Sequence, residues 1–471
     1  EFDMRTGDVA GNKTNVDTKI LDNTTTNPNE DSNVETDMEK VVLKIVAADE
    51  NGNPIKDAKG DYLTQNEVPE GNDAYYVVLA FKPDTITFND STKLDIQAGT
   101  VKIETTDKTA TGAASKTTDD GSQDYISKIQ TVELGKPISV TTIDDWKADN
   151  GEQFEIKITD KTYAHPNTGP VYENVITDKD PVTTTIVDNT TLKPNDNSST
   201  ENNQESVILK IVAVGEDGNP IMDGDKYTFV NSVAEGSNAK YMVLAFKPNT
   251  TEFTTQTVIS SDKQGGTVTI KTQDGTALTT GTKDESKLDY EATEKTVTVG
   301  AVFEIKTLDD YLSDNNENFT VGIVDKTYEH PTNGAIYENV ITNTDPVTTT
   351  IKDNTTPNTE VDQEDVEIVL VAVDSLTTKI SDITGTDGKL KLDNTNETAE
   401  GGKLYYIAVA VDKDGKPLAT QGGDVTINYG TTTSVADKDA IAGVDYDNTT
   451  TLTTKVGVVF EVATKDDYYA E

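Results

Sequence analysis

Val41-Val-Leu-Lys-Ile-Val-Ala47 returns as Val207-Ile-Leu-Lys-Ile-Val-Ala213 and, more loosely, as Val366-Glu-Ile-Val-Leu-Val-Ala372. Each is a short run dominated by β-branched and aliphatic residues, the length of a buried strand and shorter than a typical helix. A second run follows each time: Tyr75-Tyr-Val-Val-Leu-Ala-Phe81 after the first and Tyr241-Met-Val-Leu-Ala-Phe246 after the second. Turn signals such as Asn51-Gly52-Asn53-Pro54 and Asp217-Gly218-Asn219-Pro220 lie in between. Such dipeptides supply the positive φ and fixed φ that tight turns require.

Working outward, Thr267-Val-Thr-Ile-Lys271, Lys295-Thr-Val-Thr-Val299, Phe303-Glu-Ile-Lys306 and Phe319-Thr-Val-Gly-Ile323 alternate with period two. That alternation places one face on a core and the other in water. No capped stretch with helical periodicity runs longer than a turn or two. The pattern predicts an all-β chain: tandem immunoglobulin-like antiparallel β-sandwich modules in an elongated array.

Repetition governs the organisation. Glu70-Gly71 returns as Glu235-Gly236 and Glu400-Gly401, 165 residues apart each time. Asp144-Asp145-Trp146 returns as Asp309-Asp310-Tyr311 and Asp466-Asp467-Tyr468, and Asp180-Pro-Val-Thr-Thr-Thr-Ile186 returns whole as Asp345 to Ile351. Asp-Asn-Thr-Thr closes a unit at 22–25, 188–191 and 353–356. The expected organisation is the C-terminal part of a preceding repeat plus linker at 1–28, a repeat at 40–189, a linker at 190–205, a repeat at 206–354, a linker at 355–365 and the N-terminal part of a further repeat at 366–471. The linkers are Asn-, Thr-, Asp- and Pro-rich and too polar to build a core. Glu1-Phe2-Asp3-Met4-Arg5 shares its phase with Glu152 to Ile156, so the chain begins just after the phase at which it stops. A slice of a long array and a subunit whose split end-domains are completed by neighbours both fit.

The 471 residues are 34% hydrophobic and 6% aromatic, thin for a globular chain but adequate for small β cores. The 84 acidic against 40 basic residues leave a formal charge of −44. That field repels nucleic acid and anionic lipid and favours divalent cations. No apolar run approaches the length of a membrane span, so membrane insertion is not expected. Without cysteine, disulfides, thiolate metal sites and cysteine nucleophiles are excluded.

The acids recur in phase at strand ends. The first repeat carries Glu70, Asp124, Asp144, Asp145, Asp149, Glu152 and Asp188, and the second carries Glu235, Asp289, Asp309, Asp310, Asp314, Glu317 and Asp353. The third stretch carries Glu400, Asp445, Asp466, Asp467 and Glu471. Hard oxygen ligands are what Ca²⁺ requires, six to eight of them. Carboxylates gathered at one end of a sandwich repel one another unless a cation sits among them.

On these residues the unit resembles the Calx-beta domain, a calcium-binding sandwich of sodium–calcium exchangers and many bacterial surface proteins. The resemblance starts at the Glu-Gly pair (Ala399-Glu400-Gly401-Gly402) and its Tyr/Val-rich strand. It runs through Leu288-Asp289-Tyr290, Leu308-Asp309-Asp310 and Glu317-Asn318-Phe319-Thr320-Val321 to Thr348 through Asp353-Asn354. It implies Ca²⁺ as cofactor, with ligands at the strand-opening glutamates Glu70, Glu235 and Glu400 and the Asp-Tyr aspartates Asp124, Asp289 and Asp445. Further ligands fall on the Asp pairs 144/145, 309/310 and 466/467, on Asp149/Glu152 and Asp314/Glu317, and on the terminal Asp22, Asp188 and Asp353. Two departures stand out. The terminal position reads Asp-Asn rather than an acidic run, and each unit adds a front hairpin, Val41–Ile55 or Val207–Ile221.

Modules of this kind on Asn/Thr/Asp linkers resemble the extender region of a large repetitive bacterial adhesin of the RTX type. The reading is therefore a non-enzymatic, extracellular, cell-surface, calcium-binding segment that extends and stiffens an adhesin for cell adhesion or biofilm. The expected partners are calcium ions and neighbouring repeats or copies of itself. The alternative is the subunit of a self-assembling matrix filament, its split terminal domains completed by strand addition. No catalytic constellation stands out. His165 and His330 sit in phase in Tyr-x-His-Pro and read as turn residues, Trp146 reads as packing, and acids repeated in every unit fit an ion site better than a glycosidase pair.

Overall fold

The computed structural model describes residues 18–19, 28–29, 40–115, 122–169, 171–188, 205–279, 288–353, 366–392, 395–428, 440, 444–446 and 451–466. Among them the fold is all-β, with two 3₁₀ turns at Ser261–Lys263 and Ile380–Ile383.

The first repeat contains β1 (Lys40–Ala48), β2 (Gln65–Pro69), β3 (Asp73–Phe81), β4 (Thr100–Asp107), β5 (Gly112–Ala113), β6 (Tyr125–Ile126), β7 (Ile129–Glu133), β8 (Pro137–Thr141), β9 (Gln153–Ile158), β10 (Asn174–Thr177) and β11 (Val182–Val187). They form a four-stranded sheet, order β10-β1-β3-β8, and a five-stranded sheet, order β2-β11-β9-β4-β7. The second repeat repeats this plan with β12 (Ser206–Val214), β13 (Met222–Asp223), β14 (Lys226–Tyr227), β15 (Val230–Ala234), β16 (Asn238–Phe246), β17 (Thr267–Asp274), β18 (Glu294–Thr298), β19 (Val302–Lys306), β20 (Glu317–Ile323), β21 (Asn339–Thr342) and β22 (Val347–Lys352). Its sheets run β19-β16-β12-β21 and β15-β22-β20-β17-β18. The third stretch holds β23 (Glu367–Val373), β24 (Lys403–Val411), β25 (Asp424–Asn428), β26 (Thr451–Lys455) and β27 (Val459–Ala463). Here, among the described residues, the sheets are β23-β24-β27 and β25-β26.

Most pairings are antiparallel, and three are parallel in the first repeat: β1 with β10, β2 with β11 and the short β5 with β6. Two compact units result. One comprises residues 1–207, 247–249 and 332–341, and the other residues 208–246, 250–331 and 342–471.

The alternation read in the sequence is the alternation of burial. In β9 the residues Phe154, Ile156 and Ile158 point inward at 0–2% exposure, and Val182, Thr184 and Ile186 do so in β11 at 0–5%. Against them stand Leu43, Ile45, Tyr76 and Val78 from the other sheet. Tyr125 stacks on Phe154 with centroids 4.2 Å apart, and Tyr290 on Phe319 at 4.1 Å. Such a pair adds about 1 kcal/mol beyond its buried area.

The unbroken apolar runs of β1 and β3 have a second cause: both faces of this sheet are covered. The front hairpin folds back through Ile55 N–H to Ala47 O and Ala47 N–H to Leu63 O, both at 2.9 Å. It covers a smaller core of Val46, Ala48, Tyr62, Val77, Leu79 and Phe81. Lys44 is buried in this layer, its Nζ 2.7 Å from Asp178 Oδ2 and over the Phe88 ring. Lys210 holds the same place in the second repeat, donating to Asn343 Oδ1 at 2.8 Å and Asp345 O at 2.9 Å beneath Phe229.

Candidate metal centre at the sandwich ends

The Glu-Gly pair makes the turn between β2 and β3. Gly71 has φ +73, and a Cβ there would lie 3.0 Å from Asp144 Cβ; Gly236 (φ +71) meets Asp309 Cβ at the same distance. Only glycine tolerates both the backbone and the approach. The turn thereby sets the glutamate of one loop against the Asp pair that follows β8 or β19.

In the first repeat Glu70 is 4%, Asp124 7% and Asp145 7% exposed, while Asp144, Asp149, Glu152 and Asp188 are half-buried. Single carboxylate oxygens of Asp124, Asp149 and Glu152 lie within 4.8 Å of one another. In the second repeat Asp289, Asp314 and Glu317 repeat that cluster at the same spacing. Unscreened like charges this close cost roughly 3 kcal/mol per pair at an effective dielectric of 20.

Loop backbone orients the acids. Asp145 Oδ1 accepts from Lys147 N at 2.7 Å, Asp310 Oδ1 from Leu312 N at 2.6 Å, and Glu235 Oε1 from Asp310 N at 2.9 Å. Asp310 Oδ2 accepts no hydrogen bond although the residue is only 5% exposed. Carboxylate oxygens are acceptors only, so a cation is what would satisfy one held in this way.

The protonation equilibria register the crowding. Burial pushes Glu70 well above the usual carboxylate range, and Asp145 and Glu338 push it further. Burial lifts Asp145 to about 7, partly offset by the Lys147 N–H. It lifts Glu235 to about 8 and Asp310 to about 6, each again partly offset by a backbone donor. Glu152 and Glu317 are raised by burial and then by the hydrogen-bonded Asp124 and Asp289.

The Asp-pair loops of the two repeats differ in charge. Lys147 Nζ lies 2.6 Å from Asp149 Oδ2, an internal cation at the edge of the cluster. The matching residue in the second repeat is Leu312, which supplies no charge.

The sequence reading missed one acid. Within the first compact unit, Glu338 is fully buried and contributes an oxygen to a cluster with Glu70 and Asp188. Its N–H donates to Trp146 O at 3.2 Å, and Trp146 packs on Tyr337 with centroids 5.8 Å apart. The signal existed: Tyr337-Glu338-Asn339 repeats Tyr172-Glu173-Asn174 in phase. Glu173 is exposed where Glu338 is buried, so the motif alone does not announce the difference.

Among the described residues, the third stretch shows no cluster of three acids. Glu400 and Asp466 are exposed and Asp445 is half-buried. Asp22, Asp467 and Glu471 lie outside the described residues. His165 and His330 each meet a tyrosine edge-to-face, Tyr163 at 5.4 Å and Tyr328 at 5.2 Å.

No known family profile matches the chain, and no curated protein matches it. Solved structures do. The apo form of the Calx CBD1 domain matches at 17% identity over 32% of this chain and 99% of its own, TM-score 0.19. The two-domain CBD12 of CALX1.2 matches at 14% identity over 61% of this chain and 96% of its own, TM-score 0.20. Invasin, a bacterial integrin-binding protein, matches at 10% identity over 90% of this chain and 54% of its own, TM-score 0.25. FdeC, an Escherichia coli adhesin, matches at 10% identity over 90% of this chain and 88% of its own, TM-score 0.21.

Proposed function

We propose that the chain is an extracellular structural segment whose modules bind Ca²⁺ at one end of each sandwich, extending and stiffening a bacterial surface adhesin. The observation that carries this reading is the recurrence of one carboxylate cluster, buried Asp124 with half-buried Asp149 and Glu152 and buried Asp289 with half-buried Asp314 and Glu317, in the same sequence phase of both complete repeats. The donor set is all oxygen and all hard, which suits Ca²⁺.

In the first compact unit Glu70, Asp124, Asp145, Asp149, Glu152, Asp188 and Glu338 would hold the metal. In the second, Glu235, Asp289, Asp310, Asp314, Glu317 and Asp353 would do so. Bound Ca²⁺ supplies the positive charge that lets these acids ionise together. The residues themselves do the structural work: they tie the β2–β3 turn, the Asp-pair loop and the start of β9 to the end of β11. Glu338 adds the Thr332–Ile341 segment to that knot. Export to the cell surface is consistent with the absence of cysteine and the polar linkers.

The test is chelation of the intact chain. EDTA lowers the melting temperature substantially and raises the radius of gyration in solution scattering, and added Ca²⁺ restores both. A chain indifferent to chelator in both measurements has no structural calcium.

A further inference from the structure

We propose that Lys210 and Asn343 join in a covalent cross-link, an amide bond from Nζ to Cγ formed within one chain by loss of ammonia. Such a reaction needs an amine out of water, an amide carbonyl held against it, a donor for the carbonyl oxygen and a group that moves the proton. The second repeat brings all four together at the edge of its four-stranded sheet.

Lys210 lies in β12 between Leu209 and Ile211, and its side chain is 3% exposed. The Asn343 N–H donates to Leu209 O at 2.8 Å, which sets Asn343 beside it. Nζ is 2.8 Å from Asn343 Oδ1, and it lies 4.6 Å from the Phe229 ring centroid and 5.6 Å from that of Phe253. Its one salt-bridge partner among the described residues, Asp345, stands back at 3.8 Å with its side chain 84% exposed. Burial lowers the proton affinity of the lysine, and Asp345 opposes this only in part. A desolvated lysine that gives up its proton is a nucleophile.

The carbonyl is prepared as well. Asn343 Oδ1 accepts two hydrogen bonds, one from Nζ and one from the Asp345 N–H at 3.0 Å. The backbone donor stays in place during reaction and stabilises the negative charge that Oδ1 takes on when Cγ becomes tetrahedral. A second Nζ–H is held by Asp345 O at 2.9 Å. The proton released is then the one facing Asn343, which turns the lone pair toward the amide. Nζ attacks Cγ, and the Asp345 carboxylate takes a proton from the attacking nitrogen and passes one to Nδ2. The Cγ–Nδ2 bond breaks and Nδ2 leaves as ammonia. Nothing is oxidised or reduced, and no other reactant enters.

The first repeat supplies the contrast. Asp178 stands at the position of Asn343, its N–H on Leu43 O at 2.8 Å and its Oδ2 2.7 Å from Lys44 Nζ. The Asp180 N–H reaches Asp178 Oδ1 at 2.9 Å, as Asp345 reaches Asn343. The frame is the same, but a carboxylate keeps the ammonium protonated and resists attack by an amine, so this pair stays a salt bridge. Of the two repeats, the second carries the cross-link. In a chain without cysteine it acts as a disulfide does elsewhere, closing the loop from 210 to 343 in the unfolded state. It does not depend on whether the acids bind calcium.

The experiment is the intact mass of the full chain, denatured after the folded protein has been incubated at mildly alkaline pH. The expected mass is below that of the sequence by one ammonia, and a protease digest contains one branched peptide joining Lys210 to Asn343. Lys210→Met and Asn343→Ala each keep the full mass of their own sequence. Asp345→Ala retains both partners and the backbone donor, so the same loss appears about a hundredfold more slowly. A wild-type chain at its full mass overturns the inference without appeal to any variant. So does a loss of ammonia that persists in Lys210→Met, the mark of Asn343 closing on its own backbone.

Discussion

Lys44 and Asp178 meet at 2.7 Å across the seam where the first strand of a repeat lies parallel to its second-last. Both side chains are largely buried, at 5% and 17% exposure. Removing one partner of such a pair strands a charge and typically costs about 3–5 kcal/mol, whereas removing both is far milder. Asp178→Ala is expected to destabilise the first repeat by that amount, and Lys44→Met with Asp178→Asn by much less. Trp146, the only tryptophan, lies in the first compact unit, so its fluorescence in a urea titration reads this unit separately.

Neutralising one acid of a cluster is expected to act in opposite directions with and without metal. Asp310→Asn removes its repulsion with Asp314, Asp289 and Asp309 and so raises the melting temperature of the metal-free chain. In saturating Ca²⁺ the same change lowers it, because a ligand is lost. Calorimetry in chelator and in calcium gives the two signs.

Metal-free stability is expected to fall as pH rises. Glu235, Asp145 and Asp310 are raised in the folded state to about 8, 7 and 6 from 4.5, 3.8 and 3.8. The fold therefore holds protons that the unfolded chain has released. Their contribution is fully present below the unfolded values and is lost as pH climbs through the folded ones. Melting temperatures in chelator should decline from pH 4 to 8. Saturating Ca²⁺ should flatten or reverse that slope, since metal displaces the same protons.

Glu338→Gln is expected to weaken calcium binding at the first repeat and leave the second repeat's site unchanged. Trp146 accepts the Glu338 N–H and packs on Tyr337, so its emission should follow calcium in the wild type. In the variant the emission titrates at higher calcium, while calorimetric titration retains the tighter second-repeat phase.

The sandwich was legible because period-two alternation maps directly onto burial, as in Phe154-Glu-Ile-Lys-Ile158. The acids were legible as a recurring set because their spacing from Glu70, Asp145 and Glu152 is constant between repeats. Their grouping was not, since it depends on how the Gly71 turn seats Asp144 and Asp145 beside Glu70. Glu338 escaped because it lies far along the chain from Glu70 and Asp188. Glu173 shows that the same tripeptide also occurs with its acidic residue exposed. The role of Lys44 was hidden for a simpler reason: inside an apolar run, a lysine looks like an interruption until the aromatic ring and carboxylate that receive it are in view.

The parallel pairing of β2 with β11 has a mechanical meaning. Tension on a tethered repeat enters near β1 and leaves after β11. The rungs Gln65 to Pro69 against Thr183 to Val187 then lie along the pull and are loaded side by side in shear. They must yield together rather than unzip singly.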